Sequence, residues 1–382
     1  MEKVLVCLLG STRAHQLTFP RFKQRVLDEL NADMALALLI DENYDYANPF
    51  WQHAKYRRTV PFLSDFGEAF DRVQRCLCQE RKLAAPDWRI MLGINGPWQG
   101  GIQSLDPQQP RRGNRGSSAS LEFYCRWLLL QGLKDDILDR YDRFVITRSD
   151  FVWLCPHPPL SILDRDAIWV PNDEHYGGLN TRHVVVSRAD VVNCLNLIED
   201  ILLEPSQLYD ELKYMNDRDF SNYNTEQFLA HHLRRKGLFH KVKMFPYVMY
   251  LARQVDDNSR TWSSGLYEPA VGHYIKYHAE FLTAVAYTTI IRGRADWESG
   301  AWRQFDPEPV ASRVGSLRYR FRLARSHFPN VCKRESKRIV SALKRPGRVG
   351  RFQRFCKRLL QKTKRKFFDR RALNNKTLGH RR

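Results

Sequence analysis

The chain has 382 residues, of which 43% are apolar and 12% aromatic, and this composition excludes a protein that is disordered along its whole length. The net charge is +20, yet residues 311–382 hold 25 of the 62 Lys and Arg residues and only 2 of the 42 Asp and Glu residues. The rest of the chain is therefore nearly neutral, which excludes general binding of a polyanion by the folded body.

Cysteine spacing and hydropathy restrict the cellular setting. The eight cysteines include no C-x-x-C pair, so a zinc ribbon or thioredoxin-like site is not supported, and we expect buried thiols in a reducing compartment. No segment approaches the ~20 apolar residues that a membrane span needs. The apolar run Val4–Leu9 is too short for a secretory signal. We therefore expect a cytoplasmic protein.

The first 40 residues have the pattern of a strand, a helix and a second strand. Val4–Leu9 and Met34–Ile40 are continuous apolar runs, as in strands that are buried on both faces. Between them, Phe22, Val26 and Leu30 recur at helical spacing. Two strands joined by a helix of this length form a βαβ unit, which predicts a parallel sheet.

Further elements are predicted in chain order up to residue 250. The middle of the chain is expected to contain a loop at 43–60, a helix at 66–82, a strand at Trp88–Ile94, a long loop at Gly96–Gly116 and a helix at Leu121–Leu133, with a second helix or its continuation reaching Arg140. Strands then follow at Phe144–Thr147, Phe151–Leu154, Ala167–Val170, His183–Val186 and, as the last, Lys241–Phe245, with helices at Ala189–Leu203 and Asn224–Leu233. Residues 255–310 have no clear assignment.

The residues with the clearest chemical meaning follow the predicted strand Phe144–Thr147. Asp150 lies there at the carboxyl edge of the sheet, where open α/β sheets bind ligands. A carboxylate at this edge can hold a divalent cation against a diphosphate, and Arg148 can neutralise phosphate charge directly. Alternatively, Asp150 caps the next turn and Arg148 forms a salt bridge with a neighbour.

Polar residues also follow the first two predicted strands. Gly10, Ser11 and Arg13 come after the first strand, and a flexible turn there lets backbone N–H groups approach a base or a phosphate. Asp41 ends the second strand and could contact a ribose or a base. An ordinary turn without a ligand explains these four residues equally well.

Three blocks of sequence resemble bacterial glycosyltransferases of the GT-A type, especially polysaccharide- and lipopolysaccharide-synthesis families. The first block is the strand Phe144–Thr147 with Arg148-Ser149-Asp150, which stands where those families carry the D-x-D motif. The second contains the strand Ile168–Pro171, the loop Tyr176–Arg182 and the strand His183–Val186, and the third begins a helix at Asn224. The blocks keep the family's order, and the resemblance spans roughly residues 1–250.

The resemblance implies a Rossmann-related, mostly parallel sheet flanked by helices over residues 1–310, and a hexosyltransferase-type activity (EC 2.4) that uses a nucleotide-sugar donor. It also implies that Arg148 and Asp150 bind the donor diphosphate and that Asp150 binds Mn²⁺ or Mg²⁺. Two departures from the family pattern put a metal requirement in doubt: Arg148 replaces the first Asp of D-x-D, and Asn180-Thr181 stands where Asn-Asp is common.

The acceptor side of the predicted site lies in the second and third blocks. Gly177, Gly178, Asn180 and Arg182 are expected to bind the substrate, because glycines allow close backbone approach and Asn both donates and accepts hydrogen bonds. A plain β-turn is the alternative for this loop. Asp173 or Glu226 is expected to be the base that deprotonates the acceptor hydroxyl, although Glu226 could instead cap its helix.

The basic tail, residues 311–382, is predicted to be helical and amphipathic. Apolar residues recur in two stripes among Arg and Lys: Val314, Leu317, Phe321, Ala324 and Phe328, then Phe352, Phe355 and Leu359. We expect it to bind an anionic membrane surface, which would place the enzyme at the inner face of the membrane, near a polysaccharide or lipid-linked saccharide acceptor. Binding of nucleic acid through the tail, with a catalytically inactive body, is the alternative function. A tail without a partner is the third possibility.

Overall fold

A computed structural model gives the fold of residues 2–103, 119–134, 136–215, 223–253 and 265–309. The basic tail and most of the predicted loop Gly96–Gly116 lie outside these described residues. Within them, no helix has the length and apolar character to cross a membrane.

The described residues contain two sheets. Seven strands form the first sheet in the order β3-β2-β1-β4-β7-β6-β8, and four form the second in the order β10-β11-β9-β5. The strands are β1 (Val4–Gly10), β2 (Asp33–Ile40), β3 (Tyr56–Pro61), β4 (Arg143–Thr147), β5 (Phe151–Trp153), β6 (Ile168–Pro171), β7 (Val184–Ser187), β8 (Val242–Phe245), β9 (Met249–Arg253), β10 (Leu266–Glu268) and β11 (His273–Ile275).

The first sheet is mostly parallel, as predicted. Strand β1 pairs in parallel with β2 and β4, β2 pairs in parallel with β3, and β6 pairs in parallel with β8. Strand β7 runs antiparallel to both of its neighbours, β4 and β6. The carboxyl ends of β1, β2 and β4 therefore meet at one edge of the sheet, which is the edge where the predicted site residues follow.

Helices cover both faces of this sheet. They are α1 (His15–Phe22), α2 (Asp28–Leu30), α3 (Pro49–His53), α4 (Phe66–Arg81), α5 (Ala119–Leu133), α6 (Val191–Leu195), α7 (Ile198–Leu203), α8 (Pro205–Met215), α9 (Thr225–Arg235), α10 (His278–Tyr287) and α11 (Arg294–Ser299). A π-helical turn, Lys23–Leu27, joins α1 to α2.

The alternation of side chains along β1 shows why the strand is apolar throughout. Leu5, Cys7 and Leu9 face a core formed with α4, α5 and α9, whereas Val4, Val6 and Leu8 face a second core formed with α1, α3 and the second sheet. Because both faces are covered, a polar side chain in β1 would be buried and would need a hydrogen-bond partner inside the core. The result is a mixed α/β fold in which the sheet lies between two apolar layers.

The strands β1, β2 and β4 and the helices α4, α5 and α9 confirm the sequence predictions to within two residues at each end. Three predictions were wrong. The segment 43–60 is not a loop, because it contains α3 and the edge strand β3, whose Arg57 and Arg58 side chains are exposed and hide the strand pattern. Trp88–Gly93 forms a 3-10 helix, capped by Asp87, rather than a strand. Finally, β8 is not the last strand.

The second sheet is the largest feature that the sequence did not predict. Strand β9 pairs with β5 on one side and with β11 on the other, all antiparallel. Helix α10 follows β11, and its Phe281 packs on Tyr250 of β9. This sheet continues the chain directly beyond the carboxyl end of β4, because only three residues separate the end of β4 from Phe151, the first residue of β5.

Candidate active site

A hydrogen bond joins the loops that follow β1 and β4. The hydroxyl of Ser149 donates to the backbone carbonyl of Ser11, although 138 residues separate them. Gly10 has φ +96°, a backbone conformation that favours glycine, and a Cβ atom there would also be in tight contact, at 3.2 Å, with a methyl group of Leu121. The two predicted groups around Ser11 and Asp150 therefore belong to one site.

Arg148 and Asp150 form a two-point ion pair. Nε of Arg148 lies 3.0 Å from Oδ1 of Asp150, and Nη2 lies 2.9 Å from Oδ2, while the third nitrogen, Nη1, makes no hydrogen bond to the described residues. Burial would raise the pKa of Asp150, but Arg148 and the more distant positive charges of Arg253 and Lys276 lower it to about 2. Asp150 is therefore ionised at any physiological pH.

The second sheet brings Arg253 and Lys276 to this ion pair. The backbone N–H of Ala252 donates to the carbonyl oxygen of Asp150 over 2.9 Å, and the N–H of Lys276 donates to the carbonyl of Leu251 on the opposite edge of β9. Arg253 ends β9 and is buried. Neither residue was predicted, because nothing in the local sequence marks them.

Lys276 is a half-buried cation without an acidic partner among the described residues. Its ammonium group lies 4.7 Å from the ring centre of Tyr277 and makes no hydrogen bond or ion pair to any described side chain. Burial, together with the positive charges of Arg148, Arg182 and Arg253, lowers its pKa to about 7, which is more than the charge of Asp150 can compensate. Positive charges therefore outnumber negative ones among the groups that act on Lys276.

Arg182 is the predicted substrate-binding residue with the strongest contacts. Its Nη1 donates to Oε1 of Glu280 over 2.7 Å, and its guanidinium packs on the rings of Tyr176 and Tyr277. Burial raises the pKa of Glu280 to about 7, although Arg182 opposes this shift. Glu280 is a further residue that the sequence did not mark, since it comes from α10.

The remaining predicted loop residues hold the loop itself in shape. The side chain of Asn180 is buried, donates to the carbonyl of Asp173 and accepts from the N–H of Arg182. A Cβ atom on Gly178 would lie 2.0 Å from the carbonyl oxygen of Glu226, so this glycine lets the loop pack against the first turn of α9. Gly177 has φ +82°, which favours glycine on conformational grounds.

Glu226 is buried in the first turn of α9, and it is not part of the capping box of that helix. The capping box is formed by Asn224, whose side chain accepts from the N–H of Gln227, and by Gln227, whose side chain accepts from the N–H of Asn224. The carboxylate of Glu226 accepts from the hydroxyl of Thr225 over 3.1 Å. Burial raises the pKa of Glu226, whereas the charge of Arg182 lowers it. A buried carboxylate of this kind can accept a proton at neutral pH.

Three predicted residues lie further out. Asp41 is exposed after β2, where its Oδ1 accepts from the N–H of Asn43. Arg13 is exposed and donates through Nε to the hydroxyl oxygen of Ser11. Asp173 is partly buried and accepts through Oδ1 from the N–H of Glu174. All three belong to turns at the same edge of the sheet.

The site residues do not fit a divalent cation. Mg²⁺ is commonly held by one or two carboxylates and the phosphates of a substrate. Asp150 is the carboxylate that the resemblance assigned to the metal, so its oxygens would have to be available. Both of its oxygens already accept hydrogen bonds from Arg148, and Arg253 and Lys276 add positive charge nearby. In the part of the chain that the structure describes, no three His, Cys, Asp or Glu side chains are placed to share a metal ion.

A separate cavity of about 410 Å³ lies between β2, β3 and the end of α5. Its wall includes Lys55, Arg57, Arg58 and Lys134. Lys55 is bonded to Asp33, and Arg57 lies over the ring of Trp51. None of the predicted site residues lines this cavity, so it is distinct from the site around Asp150.

Comparisons with known proteins give a distant structural likeness. No protein-family model and no curated protein matches the chain. The similar solved structures include mouse xyloside xylosyltransferase 1, with 9% identity, a TM-score of 0.34, and coverage of 64% of this chain and 85% of that chain. A structure named as a putative nucleotide-diphospho-sugar transferase of Desulfovibrio desulfuricans G20 has 13% identity, a TM-score of 0.25 and coverage of 64% and 80%. The glycosyltransferase GlyE of Streptococcus pneumoniae TIGR4 has 11% identity, a TM-score of 0.24 and coverage of 64% and 45%. Because these scores are low, the proposal for this chain rests on its own topology and side chains.

Proposed function

We propose that the protein is a glycosyltransferase that moves a sugar from a nucleotide-sugar donor to a saccharide acceptor. One observation carries the proposal: Ser11, Asp150 and Lys276 come together at the carboxyl edge of the parallel strands. The loop that carries Asp173 and the helix α9, which carries Glu226, lie at the same edge. Open α/β sheets bind ligands at this edge, and the cations there suit the diphosphate of a nucleotide sugar.

Sugar transfer requires two things of the protein: positive charge that stabilises the leaving group, and correct placement of the acceptor hydroxyl. The departing nucleoside diphosphate must be stabilised by positive groups, a role that we give to Arg148 and its cationic neighbours. The acceptor hydroxyl must be aligned and deprotonated, a role that we give to Glu226, with Asp173 as the second candidate. Glu226 is favoured because its helix is capped by other residues and its pKa is raised by burial.

The proposal also covers the acceptor and the basic tail, which lies outside the described residues. The acceptor is a polysaccharide or a lipid-linked saccharide, and the basic tail, residues 311–382, holds the enzyme at the inner face of the membrane through anionic lipids. Nucleic-acid binding by the tail remains the alternative. Deleting residues 311–382 separates the two, since liposome binding is lost in the first case and RNA or DNA binding in the second.

The test of the central proposal is release of nucleoside diphosphate from a panel of nucleotide sugars by the full-length protein. We expect one donor to be used, and we expect Glu226→Gln to lower the transfer rate by roughly 10²–10⁴-fold while nucleotide binding is retained. Glu298→Gln is the control, because the side chain of Glu298 is exposed on α11 and pairs with Arg294. A protein that binds none of the donors is not a glycosyltransferase of this kind.

A further inference from the structure

Four cations form a cluster at the carboxylate that the D-x-D resemblance assigned to a metal: three of them act on Asp150 itself, and Arg182 acts on Arg148 and Lys276. They are Arg148 after β4, Arg182 before β7, Arg253 at the end of β9 and Lys276 after β11, so four separate parts of the chain contribute them. Arg148 is bonded to Asp150 and Arg182 to Glu280, whereas Lys276 has no acidic partner among the described residues. The cluster is therefore not a set of simple salt bridges in which each cation is neutralised by its own carboxylate.

Among the four cations, Lys276 is the residue that indicates a bound ligand. A half-buried ammonium group loses hydration, and that loss is normally compensated by an acidic partner or by several hydrogen bonds. Among the described residues, Lys276 has only the ring of Tyr277 beside it. Burial disfavours its ammonium form, and repulsion from three guanidinium groups, those of Arg148, Arg182 and Arg253, adds to this. An anion bound among these groups would remove both penalties.

Arg148 offers a second free donor at the same place. Its Nε and Nη2 are occupied by Asp150, and its Nη1 has no hydrogen-bond partner among the described residues. Asp150 thus orients the guanidinium, as a carboxylate partner commonly does for an arginine that binds phosphate. A divalent cation at Asp150 would have to displace this ion pair and would be repelled by Lys276 and Arg253.

We propose that the site binds the diphosphate of its donor directly through Lys276 and Arg148, with Arg253 and Arg182 adding positive charge, and without a divalent cation. This inference rests on the proposed function, because the diphosphate is that of a nucleotide sugar. It deepens that proposal by assigning Lys276 a binding role and by replacing the cation that the resemblance implied. Departure of the nucleoside diphosphate is then stabilised by side chains alone.

The experiment measures binding of inorganic pyrophosphate and of the four common nucleoside diphosphates to the full-length protein by calorimetry at pH 6.5. Each titration is made once in EDTA and once in Mg²⁺ or Mn²⁺. We expect at least one nucleoside diphosphate to bind in EDTA with an affinity that the cation does not raise. We expect Lys276→Met to weaken that binding roughly ten- to hundredfold, as for loss of one charged hydrogen bond.

Two further variants make the result decisive. Lys276→Arg keeps the charge and should restore most of the affinity, which shows that loss of charge, not misfolding, weakens Lys276→Met. Lys243→Met is the matched control, because Lys243 is 48% exposed and paired with Asp164 on another part of the sheet. The affinity of this variant for the nucleoside diphosphate should equal that of the wild type.

The outcomes separate this inference from the proposed function. Binding that disappears in EDTA and returns with Mg²⁺ or Mn²⁺ overturns the metal-free site and leaves the glycosyltransferase proposal standing. Unchanged affinity in Lys276→Met overturns the role of the lysine. If the wild type binds no nucleoside diphosphate in either buffer, the proposed function fails together with the inference.

Discussion

Arg182, in the loop before β7, donates a hydrogen bond of 2.7 Å to Glu280 of α10, and the two residues are 98 positions apart in the sequence. Both side chains are buried, at 7% and 0% exposure. The pair fixes α10 against the loop that carries Asn180, and it places Arg182 beside Lys276. The candidate site therefore depends on a contact between two regions that share no local pattern.

Removing Glu280 should destabilise the fold. Glu280→Ala leaves the buried guanidinium of Arg182 without its acceptor, and we expect the free energy of unfolding to fall by about 3 kcal/mol. Urea denaturation of the variant and the wild type measures this. Glu298→Ala, which breaks the exposed pair with Arg294, should cost less than about 1 kcal/mol. Equal losses in the two variants would contradict a structural role for the buried pair.

Replacing Gly178 should displace the substrate-binding loop. A Cβ atom there would lie 2.0 Å from the carbonyl oxygen of Glu226, so Gly178→Ala must push the loop away from α9, at a cost of about 1–3 kcal/mol. Thermal unfolding measures the loss. The matched control is Gly132→Ala in α5, where the nearest atoms lie at 3.5 Å and alanine should stabilise the helix by about 0.5–1 kcal/mol. A neutral Gly178→Ala would refute the close packing.

Nucleotide binding should weaken as the pH rises through 7. Lys276 has its pKa lowered to about 7 by burial and by Arg148, Arg182 and Arg253, against the opposing effect of Asp150, so it is charged below this pH and neutral above it. Its contribution to binding an anion is therefore complete below pH 7 and lost above it, although a bound anion shifts the loss upward. Dissociation constants at pH 6, 7, 8 and 9 measure this.

Lys276→Arg isolates the lysine's part in that pH profile. Arginine stays charged throughout this range, so the variant reports only the titration of the ligand and of other groups. The wild type should lose affinity relative to Lys276→Arg as the pH rises. Parallel profiles for the two proteins would show that Lys276 does not contact the ligand.

The buried pair His157 and His183 should make the fold sensitive to acid. Nδ1 of His157 donates to the carbonyl of Pro158, so its Nε2 accepts from Nε2 of His183 over 3.2 Å, and Nδ1 of His183 accepts from the hydroxyl of Thr147. Both rings are neutral in this arrangement. Burial, with a further effect of Arg143, lowers the pKa of His157 to about 4, and burial lowers that of His183 well below its ordinary value.

The sign of this effect follows from proton uptake. Below about pH 6.5 the unfolded chain protonates both histidines, whereas in the folded chain His157 stays neutral down to about pH 4 and burial also keeps His183 neutral well below its ordinary pKa. The free energy of unfolding therefore falls by up to about 1.4 kcal/mol per histidine and pH unit. Urea midpoints at pH 7.5, 6 and 5 measure the slope. His183→Gln removes one titrating group and should flatten it, and an unchanged slope would assign the acid sensitivity to other groups.

Much of the fold could be predicted from local patterns. The continuous apolar runs of β1 and β2 indicate strands buried on both faces, and helical spacing of apolar residues indicates α4. The edge strand β3 was missed because one side of it faces solvent and its residues are largely polar. The apolar run Val248–Ala252 has the composition of a strand and could have revealed β9.

The residues of the candidate site also fall into two groups, those that local sequence patterns indicate and those that only tertiary contacts bring to the site. The sequence by itself determined that Arg148 and Asp150 follow one buried strand and that Ser11 follows another, because each of these residues is close in the chain to its strand. The carboxyl ends of neighbouring parallel strands share one edge of a sheet, so these residues were expected at the same edge. Only the tertiary structure decided that Lys276 and Glu280 join them. These residues reach the site through the pairing of β9 with β5 and β11, and pairing between distant strands leaves no mark in the local sequence.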